Sequence, residues 1–262
     1  MKKIFIAAIC LLAMMISGCG DSPANTSGEK FVVGIDDEYA PIAFHDDKGE
    51  LVGFDIDLAK EAAKRMGVEF VFKPIDWSKK KEELTSGNVD MLWNGTDIID
   101  ERKEYMIFSK PYMDNRQIIL VKVGNKQNVR TLSDLEGKIV GTQAGSSSEN
   151  YINDTEDLRK TFREFKTYLN FKAAFADLES GAVDVLVCDE LVARYELRKV
   201  PTKFEVIEMT IGPVTEIGIG FRKDDTELRD RVQKVFDEMI KDGTARQISE
   251  NWFQADLIKY KR

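Results

Sequence analysis

The feature that most constrains this chain is a short internal echo. Ser86-Gly87-Asn88-Val89-Asp90-Met91-Leu92 is matched by Ser180-Gly181-Ala182-Val183-Asp184-Val185-Leu186. Each copy reads as a helix stop, a glycine turn and a buried strand, because an amphipathic run precedes it and an apolar run follows. The offset is constant, so Gly95 stands in the first copy where Asp189 stands in the second. One αβ unit used twice predicts two lobes of similar build. Open parallel sheets bind ligands beyond the carboxyl ends of their strands, so two such lobes facing each other make a cleft. The expected walls are the residues just after each strand, Asn94 to Asp97 in one lobe and Cys188 to Glu190 in the other.

The flanking pattern supports the same class. Strands are predicted at Phe31–Ile35, Val68–Phe72 and Val89–Trp93, with helices at Asp55–Met66 and Ser78–Ser86 between them. Ile56, Ala59, Ala63 and Met66 fall on one side of the first helix, and Gly67 stops it. The pattern restarts with a strand at Lys138–Thr142, the turn Gly145-Ser146-Ser147-Ser148, a helix at Asn170–Ser180 and a strand at Val183–Val187. A strand at Glu216–Phe221 and helices at Glu227–Ile240 and Ala245–Phe253 complete the chain. Alternating strands and helices imply an α/β fold with mostly parallel sheets and helices on both faces.

The N-terminus decides which residues belong to that fold. Lys2 and Lys3 precede an apolar run from Ile4 to Ile16, followed by Ser17, Gly18 and Cys19. The run is too short to span a bilayer comfortably and has the flanks of a secretion signal. Ile16-Ser17-Gly18-Cys19 resembles the bacterial lipobox, which implies cleavage before Cys19 and a lipid on its sulfur. The competing reading is an ordinary signal peptide with a chance cysteine. Asp21–Lys30 is small, polar and turn-rich, and reads as a flexible tether. Cys188 is then the one cysteine left for the domain, so no intramolecular disulfide staples it. Net charge is −8, and removal of the two signal lysines leaves −10, a poor match to nucleic acid. A single histidine, without paired cysteines or an HExxH motif, argues against a zinc site, and no cofactor is implied.

Residues spread along the chain carry a family resemblance. They are Gly34-Ile35-Asp36-Asp37-Glu38-Tyr39-Ala40-Pro41, the run Gly49–Ala59, Asp100-Glu101-Arg102, Phe108-Ser109-Lys110-Pro111-Tyr112 and Trp252-Phe253. In this order and spacing the chain resembles the amino-acid-binding proteins of bacterial ABC uptake systems, solute-binding protein family 3. The resemblance implies a two-lobed periplasmic-binding-protein-like fold joined by two hinge strands that closes on a solute. Residues 1–18 would be the signal peptide and residues 19–29 the lipidated cysteine and tether. Residues 30–112 plus 217–262 would form lobe one, and residues 113–216 lobe two. The implied partners are a small amino acid or related polar solute, an ABC permease and, through Cys19, the outer face of the cell membrane. The protein itself is expected to be a monomer.

Each candidate residue has a plainer alternative. Arg102 suits a ligand carboxylate, which a guanidinium grips with two parallel hydrogen bonds, and the resemblance gives it that role. By sequence alone it sits in a charge run with Glu101, Lys103 and Glu104, which usually means a solvated face. Asp189 is implied to hold the ligand ammonium, or else simply caps the helix starting at Glu190. Tyr39 and Trp77 match positions whose rings sandwich the ligand, although isolated aromatics are more often core. Asp36 reaches a distal polar group or caps the next turn. Gln143 matches a position that reads the ligand side chain. Gly95 and Thr96 line the first strand end, and the Gly145-Ser146-Ser147 turn offers N–H groups to an anion.

Two neighbouring residues depart from the family pattern. Asp97 stands where the family usually has threonine or serine, and Ile99 replaces a second threonine. A carboxylate repels a ligand carboxylate. Either Asp97 turns away to pair with Arg102 and leaves its N–H for the ligand, or the ligand is not an ordinary α-amino acid. A cationic ligand would better tolerate Asp36, Asp97, Asp189 and Glu190. Two other functions compete with transport. A cyclohexadienyl dehydratase-like enzyme on this fold would need Glu190 or Asp97 as general acid, and a ligand-sensing lipoprotein would use the same cleft.

Overall fold

The computed structural model describes residues 28–259. The signal segment, Cys19 and most of the tether lie outside the described residues. Where description begins, the chain is already docked. The Glu29 carbonyl accepts from the Glu69 N–H at 2.9 Å, and its carboxylate pairs with Arg231 at 2.7 Å. The tether reading therefore ran too far toward the domain.

Two sheets form the centres of two lobes. In the first, the parallel strands Glu69–Pro74, Lys30–Ile35 and Met91–Asp97 lie side by side, followed by the antiparallel strand Thr215–Arg222. Met106–Phe108 and Met113–Asn115 also pair with Thr215–Arg222. In the second, Glu164–Tyr168, Ile139–Gln143 and Val185–Asp189 are parallel, and Gln117–Lys122 and Phe204–Thr210 add antiparallel strands. A three-stranded sheet (Glu38–Tyr39, Ala43–His45, Leu51–Val52) sits beside the first.

The internal echo has a shared physical cause. Gly87 (φ 78°) and Gly181 (φ 85°) both adopt the left-handed conformation that ends a helix. The Asp90 carboxylate then accepts from Val32 N–H at 2.6 Å, and the Asp184 carboxylate accepts from Ile139 N–H at 2.8 Å. Both aspartates therefore pin the neighbouring strand in the same register, Gly34 beside Leu92 and Gly141 beside Leu186.

Several sequence expectations shift. The predicted helix at Ser78–Ser86 is a 3₁₀ turn, Trp77–Lys79, followed by a helix at Lys80–Thr85. The Asp76 carboxylate caps it, accepting from Ser78 N–H at 3.0 Å. The two copied strands run on to Asp97 and Asp189, so the expected cleft walls are strand residues rather than loops, except Glu190, which begins the helix Glu190–Lys199. In the two main sheets the antiparallel strand Thr215–Arg222 was expected, as Glu216–Phe221, but Met106–Phe108, Met113–Asn115, Gln117–Lys122 and Phe204–Thr210 were not, nor was the parallel strand Glu164–Tyr168. Met113–Asn115 pairs with Thr215–Ile217 inside the first sheet, so the chain changes lobe at Arg116 and between Thr210 and Thr215. The expected boundaries at 112 and 217 fall short of those crossings, because the two connecting strands bond to each other first.

The helix Phe54–Met66 illustrates how the first lobe is held. It buries Phe54, Ile56, Leu58, Ala59 and Ala62, with Asp55 and Asp57 in its first turn and Lys64 and Arg65 in its last. Those charges match the helix dipole. Gly53 enters it at φ 144°, where an added Cβ would lie 2.2 Å from the Ile42 carbonyl oxygen. No residue with a side chain fits that approach.

Candidate functional site

The lobes meet around a small, tightly closed space lined by Tyr39, Trp77, Asn94, Gly95, Asp97, Arg102, Gln143, Ser146, Ser147 and Asp189. The first-lobe strand Met91–Asp97 supplies three of these, and its burial along the whole length explains their rigid placement. Asp189 comes from the end of the second-lobe strand, and Gln143 from the end of Ile139–Gln143. Two expected residues do not line the space. Thr96 is fully buried and lies beside Gly218 in the sheet, its side chain on the other face of the strand from Asp97 and Gly95. Asp36 stands behind Gln143, accepting from its Nε2 at 2.6 Å, and also caps its turn through Glu38 N–H at 3.0 Å.

Arg102 is not part of a solvated face. Its short helix, Asp100–Lys103, turns it inward to 1 % exposure, while Asp100 and Lys103 pair with each other outside. Nη1 donates to the Asp97 carbonyl at 3.1 Å and Nη2 to the Gly145 carbonyl at 3.2 Å. Nε has no protein acceptor, and Arg102 makes no ion pair among the described residues.

Of the two readings of Asp97, the pairing with Arg102 does not hold, since no such ion pair forms among the described residues. The Asp97 carboxylate instead accepts from Thr215 Oγ1 at 2.7 Å, from Asn115 Nδ2 at 3.0 Å and from Ser147 Oγ. Asn115 Nδ2 also donates to Asp189 at 2.5 Å, so one amide nitrogen bridges the two carboxylates. Asp189 further accepts from Gln117 Nε2 at 2.7 Å and from the Tyr39 hydroxyl at 2.8 Å. It stands at the helix start yet makes no side-chain cap there. Burial first, and then the Asp97 charge, push its pKa up. Burial pushes Asp36 up to about 6. Neither Asp97 nor Asp189 makes an ion pair among the described residues.

The remaining groups fix the walls. Tyr39 stacks against Phe171 of the other lobe at 6.0 Å between ring centroids. Gly95 (φ 59°) donates its N–H to the buried Asp55 at 2.6 Å, and a Cβ there would approach the Tyr39 ring to 3.0 Å. The Gly145-Ser146-Ser147 turn offers fewer donors than expected. Gly145 N–H is taken by Glu149 at 2.5 Å, and Ser146 N–H bends back to the Gln143 carbonyl at 3.3 Å. The N–H groups of Ser147 and Ser148, in the first turn of Ser147–Asp154, have no intrahelical acceptor. Glu190 points away. Arg116 holds it through two contacts of 2.5 and 2.6 Å, Arg194 adds a third, and together they lower its pKa.

A family model described as bacterial extracellular solute-binding proteins, family 3, matches residues 31–255. The chain belongs to this family. This solute-binding protein is 34% identical over 230 residues to the L-cystine-binding protein TcyJ of Escherichia coli, covering 87% of this chain and 84% of the relative. It is 31% identical to ABC transporter arginine-binding protein 1 of Escherichia coli, covering 97% and 99%. Among solved structures, an ABC uptake transporter substrate-binding protein from Streptococcus pneumoniae with bound histidine superposes with a TM-score of 0.82 at 34% identity, covering 88% and 95%. These relatives are binding proteins, which weighs against the dehydratase reading.

Sequence reasoning placed Asn94 only as a wall residue, and it missed Asn115, Gln117, Thr215 and Lys80. Asn115 and Gln117 flank the lobe crossing, and the polar run Asp114-Asn115-Arg116-Gln117 between two apolar strands was their available signal. Lys80 lay hidden in the run Lys79-Lys80-Lys81.

Proposed function

We propose that the protein captures an α-amino acid as its zwitterion between the lobes and delivers it to the permease of an ABC transporter. One observation carries this reading. A buried guanidinium and two buried carboxylates line one space, and none of the three has a protein counter-ion among the described residues. Unpaired buried charges are costly, and a molecule carrying both a carboxylate and an ammonium compensates both signs together. Arg102 takes the carboxylate, joined by N–H groups of Ser147 and Asp97. Asp189 takes the ammonium, with Asp97 beside it, and Tyr39 and Trp77 cover the aliphatic part. The relatives named for cystine, arginine and histidine fit this chemistry. Buried Asp36, Asp97 and Asp189 outnumber buried Arg102 and Lys80, which favours a side chain that brings positive charge.

Closing would turn on the two crossings, at Arg116 and between Thr210 and Thr215, with residues 30–115 plus 215–262 forming one lobe. Cleavage before Cys19, a lipid on its sulfur, attachment outside the cell membrane and a monomeric state belong to the same proposal. Calorimetry of the purified protein against the standard amino acids, L-cystine and polyamines tests it. We expect saturable binding of one or a few amino acids, abolished when the ligand carboxylate is amidated. Binding of polyamines with no response to any carboxylate-bearing compound would remove Arg102 from its role.

A further inference from the structure

Lys80 is the middle of three consecutive lysines, yet it is only 5 % exposed while Lys79 and Lys81 face solvent. Its Nζ crosses the cleft and donates to the Gly145 carbonyl of the second lobe at 2.8 Å. It also reaches the Trp77 carbonyl of its own turn at 3.3 Å and lies 5.5 Å from the Trp77 ring centroid. It makes no ion pair among the described residues. The Gly145 carbonyl also receives Arg102 Nη2, so a single oxygen of the second lobe anchors two buried cations of the first. Gly145 is built for that contact. Its φ is 74°, and a Cβ would lie 2.8 Å from Ser78 Cα and 2.9 Å from the Trp77 carbonyl oxygen.

The first lobe by itself offers Lys80 only the Trp77 carbonyl. The second acceptor arrives with the other lobe, and the ammonium loses water as it does so. Lys80 therefore changes surroundings when the lobes meet, at a point that touches both Trp77 and the carbonyl used by Arg102.

We propose that Lys80 is a positioning residue of the ligand site, which holds the Gly145 carbonyl from across the cleft where Arg102 uses it and ties lobe closure to pH. The proposal rests on the amino-acid-binding reading. The charged groups facing Lys80 are Arg102 and Glu101 from the helix opposite, Glu149 from the second lobe and Asp76 from its own turn. Burial first, and then the Arg102 charge, bring its pKa down to about 7, with the three carboxylates opposing. An ammonium exposed on an open lobe keeps its ordinary higher value. Closure thus favours the neutral amine and releases a proton near neutral pH. Lys80 therefore makes ligand affinity rise with pH from about 6 upward, while Asp36 and Asp189, raised on burial, push the other way.

The experiment compares wild type with Lys80→Met and Lys80→Arg. The probe is whichever of L-arginine, L-histidine and L-cystine binds wild type most tightly. Titrations between pH 6 and 8.5, in buffers of different ionisation heat, give affinity and proton release together. Wild-type affinity is expected to gain roughly thirtyfold relative to Lys80→Met across that range. Lys80→Met should bind more weakly at pH 8 and lose the Lys80 share of proton release. Lys80→Arg, which keeps donors but cannot lose its proton, should also lose that share. Identical pH profiles and proton release in wild type and both variants would overturn the proposal, because a purely structural lysine leaves them unmoved. Failure of all three amino acids to bind wild type would instead reject the amino-acid reading, and this role with it.

Discussion

Replacing Arg102 with methionine separates ligand binding from folding. Methionine keeps the length and apolar stem of the side chain but removes the charge and all donors. A bidentate guanidinium–carboxylate contact combines two charge-assisted hydrogen bonds, each contributing about 1.5–3 kcal/mol. Truncating one partner of such a buried pair costs about 2–5 kcal/mol, so affinity should fall between thirtyfold and several thousandfold. The ligand-free protein should respond differently. Arg102 donates within the protein only to the carbonyls of Asp97 and Gly145 and has no carboxylate partner among the described residues. Losing those two bonds costs on the order of 1 kcal/mol each, and no longer burying an unpaired cation offsets part of it. The ligand-free melting temperature should stay within about 5 °C of wild type. Calorimetry gives the affinity, and a thermal melt without ligand gives the stability. Affinity retained within about threefold, at about 0.6 kcal/mol, would refute the carboxylate-clamp argument.

Three further outcomes are expected. Gly53→Ala should cost more than about 2 kcal/mol, because its Cβ would meet the Ile42 carbonyl oxygen at 2.2 Å, whereas Gly49→Ala (φ 82°, open space) should cost only about 1–2 kcal/mol. Urea midpoints at constant slope measure both, and equal losses would contradict the close-approach account. Asp55 is fully buried, and burial raises its pKa to about 7 despite hydrogen bonds from Gly95 N–H and the Tyr112 hydroxyl. Its contribution to stability is therefore complete below the ordinary carboxylate range and lost as pH rises through about 7, by an amount on the order of a few kcal/mol. Asp55→Asn should flatten the stability difference between pH 5 and pH 8; an unchanged profile would assign that difference to other groups. Cys19→Ala should move the protein from the membrane fraction to the soluble one, and continued lipid-dependent anchoring would refute the lipobox reading.

Most of the parallel half of each lobe was legible because its signals are local; the half-exposed strand Glu164–Tyr168 was not. Helix periodicity, glycine stops and the copied Ser-Gly-x-Val-Asp segment all act within a few residues of where they are written. Of the antiparallel strands, Thr215–Arg222 was legible as an apolar run; Gln117–Lys122 and Phe204–Thr210 were not, because they are strands only by virtue of pairing with each other and, for Gln117–Lys122, with Val185–Asp189. Their apolar runs carry no partner choice of their own.

The same division runs through the site. The chain by itself determined that a repeated strand end would present Gly95 and Asp189, and that an arginine suited to a carboxylate stood nearby. Which charges are buried, and what they face, depended on the lobes meeting. Arg102 and Lys80 look like members of exposed charge runs, and Asp97 was placed in the cleft without its partners, since a one-dimensional pattern records neighbours along the chain only. Burial and hydrogen-bond partners are set by residues far away in sequence. Thr215, Asn115 and Ser147 hold Asp97 from three different segments, and Gly145 receives Lys80 and Arg102 from across the cleft. Only the tertiary structure could turn three charges into one site, because desolvation is a property of the assembled interior and not of any segment.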